Sequence, residues 1–95
     1  MDETKSTAYP NGFEPSAGAV WLYIDESGTA AAEVFRTRGC FTYRVSRYET
    51  YVEDYGDEEF EYAYWTPCAF TCGYYDTVEK AAEYALEEIR VRLGK

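Results

Sequence analysis

Residues 41–66 read FTYRVSRYETYVEDYGDEEFEYAYWT, and the punctuation inside this stretch sets the fold. In 41–52, Phe41, Tyr43, Val45 and Arg47 fall on one side of an extended chain and Thr42, Arg44, Ser46 and Tyr48 on the other. That is the period-two pattern of a strand. In 60–66, Phe60, Tyr62 and Tyr64 alternate with Glu61, Ala63 and Trp65, and Pro67 stops the run because proline cannot donate to a ladder. The acidic centre, Glu53 to Glu59, contains Gly56 and reads as the hairpin tip. Two consecutive antiparallel strands follow from these signals.

The same grammar extends outward in both directions. Residues 19–24, AVWLYI, alternate Val20, Leu22 and Ile24 against Trp21 and Tyr23; with both faces apolar, a central or partner-covered strand is expected. Asp25-Glu26-Ser27-Gly28-Thr29 is a turn, 30–37 returns as a strand, and Arg38-Gly39 punctuates before Phe41. On the C-terminal side, Asp76 with Glu79 three residues on predicts a helix start. Val78, Ala82, Ala85, Leu86, Ile89 and Leu93 then form one stripe, with Glu79, Glu83, Glu87 and Arg90 opposite and Gly94 as the stop. Residues 1–18, with Pro10-Asn11-Gly12 and Pro15-Ser16, have no periodicity and predict a flexible N-terminal arm, mobile or loosely docked. The expected fold class is α+β: a single domain over 19–95, in which a four-stranded antiparallel β-meander carries one C-terminal α-helix on one face.

Composition narrows the function. Hydrophobic residues make up 46% of the 95 residues and aromatics 19%, enough to build a core and unlike a disordered tail. A net charge of −9 argues against direct nucleic-acid binding and against an anionic membrane face. The start Met1-Asp2-Glu3 lacks the basic and apolar regions of a signal peptide, and no apolar run is long enough for a membrane helix. A cytoplasmic protein with reduced Cys40, Cys68 and Cys72 is expected. The chain has no histidine, which removes His-based nucleophile systems, metal ligands and proton shuttles. The three cysteines do not have zinc spacing, and no glycine-rich phosphate loop is present. The expectation is a protein that is no enzyme and has no cofactor.

The charge is segregated. Residues 36–48 hold Arg36, Arg38, Arg44 and Arg47 and no acid, whereas 49–61 hold seven acids and no base. Tyrosines lie among those acids, and tyrosine combines large apolar area with a hydroxyl at low entropy cost. The partner-binding residues expected here are Glu49, Tyr51, Glu53, Asp54, Tyr55, Asp57, Glu58, Glu59 and Glu61. The aromatics of ETYV and FEYAYW are expected to point inward, which narrows the anionic surface to VEDYGDEE, flanked by Glu49 and Glu61. As one extended strand, 49–61 carries a charge every ~6 Å, against ~1.7 Å along duplex DNA. Mimicry of a nucleic-acid backbone therefore needs further acids, such as Asp25-Glu26 or Glu79, Glu83 and Glu87, on a contiguous surface.

In size, acidity, tyrosine content and lack of catalytic apparatus, with ETYVEDYGDEEFEYAY and the meander-plus-helix pattern, the chain resembles small inhibitors of phages and mobile elements. These include anti-CRISPR proteins, anti-restriction DNA mimics and the uracil-DNA glycosylase inhibitor. The resemblance is one of character over the whole chain and transfers no binding residue position by position. It implies an inhibitor that meets the basic surface of a nucleic-acid-binding complex, a CRISPR–Cas effector in the first instance, and blocks DNA or RNA. An immunity- or antitoxin-like or accessory module acting on a basic partner is the alternative. The Arg36–Arg47 strand departs from a uniformly acidic mimic, and three uses stay open for it: pairing within the chain, pairing across a homodimer, or touching a second surface of the target.

Overall fold

The computed structural model describes residues 9–68 and 73–95. Strands β1 (Ala19–Ile24), β2 (Ala30–Thr37), β3 (Cys40–Tyr55) and β4 (Glu58–Pro67) form one antiparallel sheet in the order β1-β2-β3-β4, followed by helix α1 (Val78–Arg92). This is the expected α+β meander with a C-terminal helix. β1 lies at an edge rather than in the centre, with Val20 exposed beside a bulge between Ala19 and Trp21.

The tight turns follow from their residues. Arg38 and Gly39 both have positive φ, 49° and 83°, as a two-residue type I′ hairpin requires. The helix starts one residue later than expected. Its cap is Thr77, whose hydroxyl accepts from the Lys80 amide at 3.1 Å. Asp76 and Thr77 are both good caps, and the backbone geometry selects the second.

α1 packs across β2 and β3. Ala81, Ala82, Ala85 and Ile89 meet Ala30, Ala32, Val34, Tyr43 and Val45 in one cluster. Beneath the helix alanines the sheet presents Ala30, Ala32, Val34 and Val45 beside the buried ring of Tyr43, and Trp21, Phe41 and Tyr75 pack partly buried against this cluster. Alanine against alanine lets helix and sheet approach closely, but leaves Val34 and Val45 as the largest fully buried side chains. With so little apolar volume in the core, other contacts must carry much of the stability.

Of the two states expected for the arm, 9–18 takes the docked one; the first eight residues lie outside the described residues. Phe13 is buried and meets Trp65 edge-on at 4.9 Å. The Trp65 indole donates to the Asn11 carbonyl at 3.1 Å, and the Asn11 amide donates to the Gly28 carbonyl at 2.8 Å. Further along, Glu33 is only 2% exposed, a costly place for a carboxylate unless it is compensated. The backbone N–H and hydroxyl of Ser16 donate to it at 2.6 and 3.2 Å, and the Arg44 guanidinium stands 3.9 Å away. The segment thus lies across the sheet face opposite α1, because it satisfies a buried charge and covers Trp65.

The β1–β2 turn is organised by Asp25. Burial raises its pKa, but donation from the Ser27 hydroxyl at 2.6 Å, from the Ala30 amide at 2.9 Å and from the Thr29 amide at 3.1 Å outweighs burial and holds the carboxyl below its ordinary value. Because the folded value lies below the unfolded one, the stabilisation is complete at neutral pH and disappears as pH falls below about 4. Asp25→Ala is therefore expected to cost about 1–3 kcal/mol at neutral pH. In thermal melts the gap from the parent should narrow at about pH 3; a gap independent of pH would refute the ionic role. Phe13→Ala is expected to cost roughly 1.5–3 kcal/mol, the value of one buried aromatic side chain, and to open 9–18 to limited proteolysis.

A candidate protein-interaction surface on the β3–β4 ribbon

β3 is sixteen residues long and uses two partners in tandem. It pairs with β2 from Cys40 to Arg47 and with β4 from Ser46 to Tyr55. From Glu49 outward β3 has no neighbour on its β2 side, so Glu49–Tyr64 is a two-stranded ribbon projecting past the core. The molecule is elongated to match, 54 × 39 × 24 Å with a radius of gyration of 15.7 Å, where a compact chain of this length would have about 12 Å. The tip is a two-residue turn, Gly56-Asp57, with Gly56 at φ 70°, as a type II′ turn requires at its first central position.

The register decides which side chains stand together. Directly opposed residues share a face, and the pairs are Glu49 with Tyr64, Tyr51 with Tyr62, Glu53 with Phe60, and Tyr55 with Glu58. All five aromatics of the ribbon therefore lie on one face, interleaved with Glu49, Glu53 and Glu58. The other face pairs Thr50 with Ala63, Val52 with Glu61, and Asp54 with Glu59. Asp57 sits in the turn. The nine residues expected to form one anionic surface are thus divided between two faces of different chemistry.

The inward placement of the aromatics is also corrected. Tyr51, Tyr55, Phe60, Tyr62 and Tyr64 are 43–56% exposed. They continue the face that α1 covers near the core, but the helix packs only over the β1–β3 end. Tyr51 and Tyr64 approach to 5.5 Å between ring centroids, as do Tyr55 and Phe60 in an edge-to-face contact. Phe60, Tyr62 and Tyr64 were missed as surface residues. Placing the turn at Gly56-Asp57 brings them into register with Tyr51 and Tyr55, and that signal was readable.

Hydrogen bonds fix the polar groups. The Tyr55 hydroxyl donates to Glu53 at 2.5 Å, and this bond raises the phenol pKa. Tyr51 is likewise raised, first by a side-chain hydrogen bond with Tyr64 and then by the negative charge of Glu49. Both phenols thus stay neutral donors at physiological pH. At the base of the ribbon Arg47 pairs with Glu49 at 3.2 Å. Arg44 is held by Glu33 and lies 5.0 Å over the Phe35 ring, and Arg36 lies 5.6 Å over Phe41. Much of the basic strand is therefore engaged within the chain.

Folding the acids into a ribbon raises their density. Seven acids along about 25 Å of ribbon place a charge every ~3.5 Å, about half the linear density of a duplex. Open hollows occur elsewhere, beside α1 at Tyr23, Leu86 and Ile89 and at the β2–β3 turn near Arg38 and Tyr74. Among the described residues no group of three or more His, Cys, Asp or Glu could hold a metal ion, and no helix is long and apolar enough to cross a membrane. Cys40 and Cys68 are free thiols, burial pushing the Cys68 pKa up; Cys72 lies outside the described residues. No family model, curated protein or solved structure matches the chain.

An isolated two-stranded ribbon is marginal in water, so its order depends on the turn and the aromatic pairs. Backbone amides from Val52 to Tyr62 are expected to exchange with solvent much faster than those of Val34 and Val45. In Gly56→Ala the new Cβ meets nothing within 4 Å, so only backbone strain acts, about 1–2 kcal/mol. That should collapse the protection of the ribbon and leave the core amides unchanged. Equal losses in ribbon and core would refute the independence of the two ends.

Proposed function

We propose that this protein is a non-enzymatic inhibitor that inserts the β3–β4 ribbon into the basic groove of a nucleic-acid-handling complex and blocks DNA or RNA. The observation that carries this reading is the ribbon: seven acids and no base, on an exposed arm that projects from a small core. Charge of one sign on a projecting arm favours encounter with a basic cleft and rejects nucleic acid itself. At about half the charge density of a duplex, the ribbon acts as an anionic contact within a larger interface, not as a full replica of DNA. The resemblance to anti-CRISPR proteins makes a CRISPR–Cas effector the first target to try.

The test is competition with DNA for purified effector complexes. The chain should displace DNA, and displacement should weaken as salt rises, because exposed charges are screened over a length of about 10 Å at 0.1 M. A triple variant, Asp57→Asn, Glu58→Gln and Glu59→Gln, keeps side-chain shape and removes three charges. With exposed pairs at about 0.2–1 kcal/mol each, its affinity should fall about tenfold. A folded triple variant that competes as well as the parent would overturn the assignment.

A further inference from the structure

One sequence spacing recurs on strand faces of this chain: a glutamate followed two residues later by an aromatic. It occurs as Glu33-x-Phe35, Glu49-x-Tyr51, Glu53-x-Tyr55 and Glu58-x-Phe60. In a strand, residues two apart share a face about 7 Å apart along the chain. That spacing suits a guanidinium, which can lie flat on the ring while its edge meets the carboxylate.

The first of these stations is filled from within the molecule. Arg44, directly across from Glu33 in the ladder, stands 3.9 Å from its carboxylate and 5.0 Å over the Phe35 ring. At the second, Arg47 takes the Glu49 carboxylate at 3.2 Å. The remaining two stations interlock at the end of the ribbon. Glu53 opposes Phe60 and Tyr55 opposes Glu58, so the rings occupy one diagonal of a square, 5.5 Å apart, and the carboxylates the other. Among the described residues no arginine or lysine pairs with Glu53 or Glu58. Tyr55 and Phe60 are both exposed.

We infer that this square is a binding site for arginine side chains of a protein partner, two guanidinium groups engaging Glu53-x-Tyr55 and Glu58-x-Phe60. The inference rests on the proposed function, since it specifies the chemistry by which the ribbon meets a basic groove. Lysine fits less well, because a compact ammonium lacks the planar fork that serves ring and carboxylate together. A second copy of the chain is a poor occupant: packed ribbon on ribbon at this face, it would set its own Glu49, Glu53 and Glu58 against the same three acids. Nucleic acid is repelled by the same charges.

The experiment uses the full chain and two labelled peptides of equal length and charge, one with arginine and one with lysine at each cationic position. Binding is read by fluorescence anisotropy, and the ring signals of Tyr55 and Phe60 by NMR. The arginine peptide should bind about fivefold to tenfold more tightly, as two exposed cation–π stations imply, and should shift both rings. Tyr55→Leu with Phe60→Leu should abolish the preference and leave the residual binding common to both peptides. Tyr55→Phe, which keeps the ring, should retain the preference and controls for loss of ribbon structure. Equal binding of both peptides, unchanged by the Leu pair, would overturn the arginine site while the basic-partner reading stands. Failure of both peptides to bind would overturn the basic-partner reading and the site with it. Self-association abolished by the Leu pair would make a second copy the occupant and likewise overturn the site.

Discussion

The molecule depends on a mismatch in strand length. β3 runs for sixteen residues, and β2 can pair with only its first half because β2 begins at Ala30, opposite Arg47. β4 pairs with the second half. Two structures therefore share one continuous strand: a covered sheet at one end and a bare ribbon at the other. Hydrogen-bond geometry transmits the face alternation from Tyr43 and Val45 in the core to Tyr51 and Tyr55 on the ribbon without interruption. The residues that would have formed a core, had the helix been longer, are delivered to solvent as an ordered aromatic surface. The connection after β4 completes the division. Cys68 bonds to Val45, and Tyr75 forms a bridge with Phe41, so both described ends of the connection lie beside the core half of β3.

Much of this was legible in residues 41–66 and in the helical stripe of 78–93. Gly56 marked the hairpin, the alternation marked the faces, and the alanine and leucine stripe marked the helix. What alternation cannot supply is the extent of cover. It says that Tyr62 and Tyr64 share a side, but whether anything lies over that side depends on where α1 lands, a tertiary fact. The docking of 9–18 was hidden for a related reason. Pro10-Asn11-Gly12 and Pro15-Ser16 have no period because the segment is held by individual bonds, Ser16 to Glu33 and Asn11 to Gly28, not by a repeating pattern. A glutamate at 33 within an apolar strand was the available clue, since a buried carboxylate demands a donor from somewhere.

The register sorts the acids of the ribbon onto two faces with different neighbours. An exposed two-stranded ribbon offers open backbone edges, and charged side chains discourage pairing with other chains. Asp54, Glu59 and Glu61, beside Thr50, Val52 and Ala63, suffice for that purpose and have no aromatic neighbour on their face. Glu49, Glu53 and Glu58 stand among rings, on the face to which the proposed recognition is assigned. Because the two groups lie on opposite faces, substitutions on one can leave the other untouched.

The same separation bears on how the ribbon can be both marginal and specific. Cross-strand aromatic pairs contribute about 0.5–1.5 kcal/mol each beyond area burial, comparable to the strain stored if the Gly56 turn were made by another residue. The rings are therefore held against one another on the free ribbon, and Tyr55 is tied to Glu53 by its own hydroxyl. That bond has a cost in recognition: a guanidinium that takes the Glu53 carboxylate must share it with, or displace, the phenol. Glu58, at the other end of the same diagonal, carries no such bond to its facing Tyr55. The two stations of the square are thus chemically unequal, and on the proposed reading Glu58-x-Phe60 takes the first arginine.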